Sequence, residues 1–242
     1  LELGGNAPVI VMDDVDPDAV AANIVAKKTG FAGQTCVNYN RIYVHERIYD
    51  ALCEKIAEKL KAVRLGKGRD TGNIMGPMIN RQARDRMLSL IDDAVRRGAC
   101  LVTGGEIPAG FEQGCYITPA LLKDVTDEMR VSKEEIVGPV IPVQPFSDFE
   151  QVLEQANRSI FGLSAYFFGH RAPDIAKAFE TLEAGEIFVN GGGGTELSPH
   201  AGVKQSGVGC DKSTWSRDEY YDIKYLSMIP FYSSDSPITT AV

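Results

Sequence analysis

Short apolar runs alternate with longer amphipathic stretches along most of the chain. The runs, rich in Val, Ile, Tyr and Phe, are typical of buried strands. The longer stretches repeat apolar residues every three or four positions, which is typical of helices packed on one face. Strands are predicted at 8–12, 41–44, 100–103, 140–143, 163–168 and 186–190, and helices at 17–29, 48–63, 81–97, 148–157 and 173–182. This alternation predicts βαβ units, and therefore an α/β fold with a Rossmann-like, mostly parallel sheet flanked by helices.

The C-terminal region departs from the alternation. Residues 220–228 have the composition of one long strand, and 233–242 are rich in Ser, Thr and Pro. Such a terminus is expected to be disordered. The sequence is therefore divided into a catalytic unit over 1–215, a strand segment over 216–232 and a disordered tail over 233–242.

Composition excludes several classes of function. The chain has 242 residues and a net charge of −8, with no basic run, so nucleic acid and anionic membranes are not expected as partners. No apolar stretch is long enough to span a bilayer, and no signal peptide is visible. The five cysteines are scattered, without metal-ligand or disulfide spacing. We expect no metal site and a reducing, cytoplasmic location.

One cysteine lies where chemistry is expected. Cys36 is in the loop 31–38, between a predicted helix and a predicted strand, and loops held by rigid elements carry reactive groups in α/β folds. As a thiolate it would be a nucleophile, whereas a lone cysteine is more often a packing residue. Glu2 could accept a proton from the thiol or from water. No P-loop and no G-x-G-x-x-G motif occurs, so no phosphate cradle is predicted.

Several stretches together resemble the aldehyde dehydrogenase superfamily. Leu-Glu-Leu-Gly-Gly-Asn-Ala-Pro at 1–8 and Gly-Gln-Thr-Cys-Val at 33–37 resemble its glutamate and cysteine signatures, with Glu2 and Cys36 34 positions apart. Glu-Glu-Ile-Val-Gly-Pro at 134–139 resembles a cofactor-contacting segment that usually has Phe in place of Val. Pro-His-Ala-Gly-Val-Lys-Gln-Ser-Gly at 199–207 resembles Pro-Phe-Gly-Gly-x-Lys-x-Ser-Gly. The resemblance extends from residue 1 to about residue 232.

The resemblance implies a mechanism and assigns residues to it. Cys36 is then the nucleophile that forms a thiohemiacetal and a thioester, and Glu2 is the general base that activates the hydrolytic water. Glu135, with Leu3 and Gly4, is expected to contact the cofactor, NAD or NADP. The expected residues on the substrate side are Gln34, Thr35, Val37, Asn190 and His200.

The resemblance also implies how the chain is organised. Family members are about twice this length, so we expect an N-terminal cofactor-binding domain before Leu1 and no activity from the chain alone. The segment 216–232 is expected to join an oligomerisation sheet in a homodimer or homotetramer. The substrate is a small aldehyde, and the signatures look most like those of succinate-semialdehyde dehydrogenases. Those enzymes often have a basic residue six positions before the cysteine, where this chain has Gly30.

Two other classes of function stay open. A cysteine-dependent esterase or other hydrolase would use Cys36 with a nearby histidine, but the spacing of His45, His170 and His200 predicts no triad. Turnover of esters without nicotinamide would favour it. A non-catalytic interaction domain would have an unreactive Cys36 in a normally folded chain.

Overall fold

The computed structural model describes residues 1–228. Among these residues are nine strands and seven α-helices, with two short 3₁₀ turns at Gly30–Gly33 and Glu46–Ile48. In chain order they are β1 (Ala7–Val11), α1 (Pro17–Thr29), β2 (Tyr39–His45), α2 (Tyr49–Lys61), α3 (Arg81–Arg96), β3 (Cys100–Thr103), β4 (Ala120–Lys123), α4 (Arg130–Lys133), β5 (Val140–Phe146), α5 (Phe149–Asn157), β6 (Phe161–Gly162), β7 (Ser164–Phe168), α6 (Ala172–Thr181), β8 (Glu186–Val189), β9 (Val203–Lys204) and α7 (Trp215–Asp218).

Seven strands form one sheet in the order β3-β4-β5-β2-β1-β7-β8. All neighbouring pairs are parallel except β3 with β4, which is antiparallel. β6 and β9 form a separate antiparallel pair that the sequence pattern did not predict. The predicted α/β class and the mostly parallel sheet are confirmed.

The central strand β1 is buried on both faces, as expected for a parallel sheet covered by helices. Val9 and Val11 pack into a core with α1 and α2, whereas Ile10 packs into a second core with α5 and α6. A third core lies under α3, at the β4 and β5 side of the sheet. This double cover explains why β1 reads as a continuous apolar run rather than an alternating one.

The predicted helix starts are formed by capping side chains. The carboxylate of Asp16 accepts a hydrogen bond from the Asp18 N–H, and Pro17 occupies the first helical position of α1. The Asn80 side chain caps α3, and the Asp148 side chain caps α5. These caps satisfy backbone N–H groups that have no partner within the helix.

The strand predicted at 220–228 is not formed. Tyr220 ends a turn, and residues 221–228 have no regular secondary structure. A strand needs a neighbour to accept its hydrogen bonds, and nothing within 1–228 pairs with this segment. Its apolar side chains are exposed, including Ile223 at 100%. Residues 229–232 of that segment, and the tail predicted at 233–242, lie outside the described residues.

Two further observations concern the placement of the chemistry. Cys36 precedes β2 and Glu2 precedes β1, so both lie at the amino-terminal edge of parallel strands. Open α/β sheets more commonly bind ligands at the carboxyl ends of their strands. Within the described part of the chain, no helix is both long enough and apolar enough to cross a membrane.

Candidate active site

The loop that carries Cys36 begins in an unusual backbone conformation. Phe31, Ala32 and Gly33 all have left-handed φ angles, of 50°, 52° and 68°. A Cβ atom on Gly33 would lie 2.4 Å from the carbonyl oxygen of Gly138. Only glycine tolerates both the φ angle and this approach, so the loop is held directly against the 134–139 segment.

Asn38 fastens the other end of this loop. Its side chain is fully buried, and its amide nitrogen donates to the carbonyls of Gly33, Ile136 and Gly138 at 2.7, 3.2 and 3.2 Å. Sequence reasoning assigned no role to Asn38. It joins two stretches that the resemblance treated as separate signatures, which fixes the position of Cys36 relative to Glu135.

The three residues around Cys36 that were predicted on the substrate side have structural contacts. The Gln34 side chain donates to the Phe31 carbonyl and accepts from the Ile79 N–H. The Thr35 carbonyl accepts from the Asn38 N–H, and the Val37 carbonyl accepts from the Tyr166 hydroxyl at 2.8 Å. These contacts position the loop. Val37 in addition lines a cavity beside Cys36.

Glu2 reaches Cys36 because the first residues pair with a distant segment. The Leu3 N–H donates to the Ser206 carbonyl, and the Val208 N–H donates to the Leu1 carbonyl. Glu2 lies between these two bonds, and its Oε1 accepts a hydrogen bond from the Cys36 thiol at 3.3 Å. The structure therefore brings the thiol and the carboxylate, which are 34 positions apart in sequence, into direct contact.

His200 completes the cluster from a third part of the chain. Its Nε2 lies 2.7 Å from Glu2 Oε1, and its Nδ1 lies 2.9 Å from Glu186 Oε1. The His200 N–H also donates to the Asp211 carbonyl, and the Asp211 N–H donates to the His200 carbonyl. Sequence reasoning assigned no role in the site to Glu186. It begins β8, which is parallel to β1 and β2 in the same sheet, and so it lies at the edge that carries Cys36.

The cluster sets the protonation of its members. Burial opposes the charge on His200, but the hydrogen bonds that the charged imidazole donates to Glu186 and Glu2 outweigh burial and raise the pKa of His200. The hydrogen bond to His200 lowers the pKa of Glu2. Burial, with the adjacent Glu2 carboxylate, raises the pKa of the Cys36 thiol to about 11. At neutral pH the thiol is therefore protonated and donates to an ionised carboxylate that also binds the imidazole.

A cavity of about 110 Å³ adjoins this cluster. Val37, Tyr166 and His200 are among the residues that line it, together with Lys27 from α1. The Lys27 ammonium lies 5.8 and 5.6 Å from the ring centroids of Tyr39 and Tyr166, and it forms no ion pair within residues 1–228. Burial lowers the pKa of Lys27. An unpaired, half-buried cation beside the thiol suits a ligand that carries a negative charge.

Glu135 lies against the glycines that follow Glu2. Its Oε1 accepts from the Gly5 N–H at 2.9 Å, and a Cβ on Gly4 would lie 2.7 Å from its Oε2. That second oxygen accepts no hydrogen bond from residues 1–228. Arg130 and Arg86 bind Glu134 instead, and Arg86 donates to the Glu135 carbonyl. One carboxylate oxygen is thus held by the Gly5 N–H, and the other, beside Gly4, remains able to accept from a ligand hydroxyl.

Asn190 is the one predicted site residue that lies away from this cluster. It follows β8, and its side-chain amide forms two hydrogen bonds with the backbone of Gly169, each 2.9 Å long. Because β1, β2 and β8 are parallel, the residue after β8 lies at the edge opposite Cys36. Its contacts are with the turn between β7 and α6.

Comparison with known proteins matches the chain to one family. The family model described as "Aldehyde dehydrogenase family" matches residues 1–226. The chain belongs to the aldehyde dehydrogenase family. Within it, the chain is 40% identical over 227 residues to the NADP(+) succinate-semialdehyde dehydrogenase GabD of Escherichia coli, covering 93% of this chain and 47% of that protein. It is 40% identical over 229 residues to the 3-sulfolactaldehyde dehydrogenase of Pseudomonas putida, covering 94% and 47%.

Solved structures of aldehyde dehydrogenases have the same fold. The succinate-semialdehyde dehydrogenase of Burkholderia pseudomallei superposes with a TM-score of 0.90 at 42% identity, covering 93% of this chain and 47% of that chain. The chain therefore spans about half the length of the aldehyde dehydrogenases it matches. The superposition agrees with the mixed α/β architecture and its parallel-dominated sheet.

Proposed function

We propose that this chain supplies the nucleophile and the base of an enzyme that oxidises an aldehyde to a carboxylic acid with NAD or NADP. The observation that carries the proposal is the 3.3 Å hydrogen bond from the Cys36 thiol to Glu2. It joins a nucleophile to a base across 34 positions of sequence. Membership of the family indicates the class of reaction, and this contact indicates which two residues of the chain carry it out.

The chemistry begins with the proton on the thiol. Glu2 accepts that proton as the sulfur of Cys36 bonds to the carbonyl carbon of the aldehyde, which gives a thiohemiacetal. Loss of hydride from that carbon leaves a thioester on Cys36. Glu2 passes the sulfur's proton to solvent and then takes a proton from water. The resulting hydroxide attacks the thioester, the carbon–sulfur bond breaks to release the acid, and the Cys36 thiolate takes the proton back from Glu2. His200 holds the Glu2 carboxylate between the two steps.

The residues present fit the cofactor that the family implies. The Gly5 N–H holds one carboxylate oxygen of Glu135. The other lies where a side chain on Gly4 would be, and it is able to accept from a ribose hydroxyl. When bound, the nicotinamide accepts the hydride that leaves the substrate carbon. Glu135, Gly4 and the adjacent Leu3 are the groups of this chain that would hold it.

We further propose a substrate with a negative charge at its far end. Succinate semialdehyde carries a carboxylate and 3-sulfolactaldehyde a sulfonate, and enzymes named for both are about 40% identical to this chain. Gly30 cannot bind such a group. Lys27, which lines the cavity beside Val37 and His200 without an ion pair in the described residues, can.

A cysteine hydrolase is the second candidate, because the structure brings His200 into the cluster. Its imidazole bonds to Glu2 and Glu186, and the thiol bonds to Glu2. In a cysteine–histidine pair the imidazole itself would take the thiol proton. The carboxylate therefore lies where a hydrolase would need the ring, which favours the dehydrogenase.

Formation of reduced cofactor tests the proposal, measured with the protein that combines this chain with a cofactor-binding half. We expect turnover of succinate semialdehyde that Cys36→Ser abolishes and Cys100→Ser leaves unchanged. Lys27→Met should raise KM for the anionic aldehyde but not for a neutral aldehyde of the same length, and exposed Lys61→Met is its control. Turnover by the Cys36→Ser variant would refute the proposal.

A further inference from the structure

Three side chains with metal-binding atoms converge at the site. Cys36 Sγ, Glu2 Oε1 and His200 Nε2 all lie within 4.8 Å of one another. They come from three distant stretches of the chain and therefore form no metal-binding sequence motif. For this reason the sequence predicted no metal site. Glu2 is hydrogen-bonded to each of the other two, and three different donor atoms this close together are able to serve as a ligand set.

The donor atoms define which ion would fit. A thiolate is a soft ligand, an imidazole is intermediate and a carboxylate is hard, and Zn²⁺ accepts all three. Three protein ligands with a fourth position open to water are the usual set of an exchangeable zinc site. The separations of 3.3 Å from sulfur to oxygen and 2.7 Å from nitrogen to oxygen need only small side-chain shifts to enclose an ion. Mg²⁺ and Ca²⁺ would find only one oxygen here.

The surroundings support this ligand set. Glu186 bonds to Nδ1 of His200 at 2.9 Å, which directs Nε2 toward Glu2, and metal-binding histidines usually have such a carboxylate partner. A cavity of about 310 Å³ opens beside Glu2 and His200 and is lined further by Gly209 and Asp211. The ion therefore has a route from solvent to the cluster.

We propose that Cys36, Glu2 and His200 form a reversible Zn²⁺ site, with Glu186 as the positioning residue for the histidine. The thiol releases its proton to solvent as the sulfur–metal bond forms. The bound ion then occupies both the nucleophile and the base, and so it switches the enzyme off until a chelator removes it. The inhibition rests on the proposed function, whereas the binding does not.

Binding is tested on the chain itself, without aldehyde or cofactor. Co²⁺ is titrated into the reduced chain, and a thiolate-to-cobalt charge-transfer band is expected at one ion per chain, displaced by Zn²⁺. Cys36→Ser should abolish the band, and Glu186→Gln should weaken binding about 10–100-fold. His200→Phe should weaken it more than Glu186→Gln does, and Cys115→Ser should leave it unchanged.

A second measurement needs no variant of the chain. Zn²⁺ should slow alkylation of Cys36, mapped by peptide mass spectrometry, at least about 10-fold and leave exposed Cys100 unaffected. The absence of a charge-transfer band, or equal protection of both cysteines, would overturn the site. Zn²⁺ binding by a chain whose complete enzyme oxidises no aldehyde would uphold the site and refute only the function.

Discussion

At the scale of single residues, one carboxylate oxygen determines the state of the site. Glu2 Oε1 accepts from the thiol of Cys36 and also contacts the imidazole of His200. The thiol is therefore kept protonated at rest by the same group that we propose as its base. Such an arrangement stores the nucleophile in an unreactive form until an electrophile draws the proton across to Glu2.

This arrangement predicts how Cys36 titrates. Burial first, and then the Glu2 carboxylate, raise the pKa of Cys36 to about 11. Glu2→Gln removes the negative charge, so the pKa should fall and the thiolate fraction at pH 8 should rise. Alkylation of Cys36 by iodoacetamide, followed against pH by peptide mapping, should show its midpoint moved to lower pH in the variant.

Asp211→Asn is the matched control, because it removes a nearby carboxylate that does not contact the thiol. Its alkylation midpoint should stay within experimental error of the unmodified chain. A Glu2→Gln midpoint equal to or above that of the unmodified chain would show that the carboxylate does not hold the proton on Cys36.

At the scale of elements, the turn after α1 presents Cys36 to Glu2. Three consecutive left-handed residues, Phe31, Ala32 and Gly33, reverse the chain before β2, and Asn38 ties the turn to the 134–139 segment. Left-handed conformations of ordinary residues cost about 1–3 kcal/mol each and persist only where the surroundings enforce them. The surrounding hydrogen bonds therefore maintain a loop shape that its own sequence disfavours.

Alanine substitutions at Gly33 and Gly30 test whether the left-handed conformation of this turn, and not merely its glycine content, matters for stability. Gly33→Ala places a Cβ 2.4 Å from the Gly138 carbonyl in a left-handed conformation, and should lower the free energy of unfolding by about 1–3 kcal/mol. Gly30→Ala meets no atom within 4 Å and has a φ of −55°, so it should be neutral or slightly stabilising. Urea denaturation measures both. Equal effects of the two substitutions would contradict the account of the turn.

The sequence predicted the helices and strands better than it predicted which residues they bring together. Apolar periodicity and caps such as Asp16 and Asn80 identified most strands and helices, because those signals are local. No role was assigned to Glu186, and Asn190 was expected on the substrate side from the resemblance alone. The sequence does not tell which edge of the sheet each of these residues reaches. His200 looked isolated in sequence, and only the pairing of 1–3 with 206–208 brings it to Glu2.

At the scale of the whole molecule, the main sheet has the residues of the candidate site at one edge, and the segment 220–228 pairs with no strand within residues 1–228. Six large apolar or aromatic side chains between 220 and 228 are 71–100% exposed. The chain also spans only 43–47% of the length of the curated relatives it matches. We propose that this segment pairs as a strand with another chain in a homodimer or homotetramer, and that cofactor binding needs the other half of the fold.

The exposed segment predicts self-association of the chain. Ile223 and Tyr225 are 100% and 86% exposed, and a strand composition without a partner tends to pair with another chain. The double substitution Ile223→Asp and Tyr225→Asp should shift the chain toward monomer in sedimentation velocity. Leu197→Asp, at a site 83% exposed outside the segment, is the control and should leave association unchanged. A monomeric unmodified chain would contradict the proposal.

The central claim is that Cys36 carries the acyl group and Glu2 drives its hydrolysis. The most direct measurement is mass spectrometry of the Glu2→Gln enzyme, with this chain joined to its cofactor-binding half, after mixing with aldehyde and NAD or NADP. We predict a burst of reduced cofactor, about 10²–10⁴-fold slower turnover, and one acyl adduct on the peptide that contains Cys36. An adduct on any other residue, or hydrolysis at the unmodified rate without an adduct, would contradict the account.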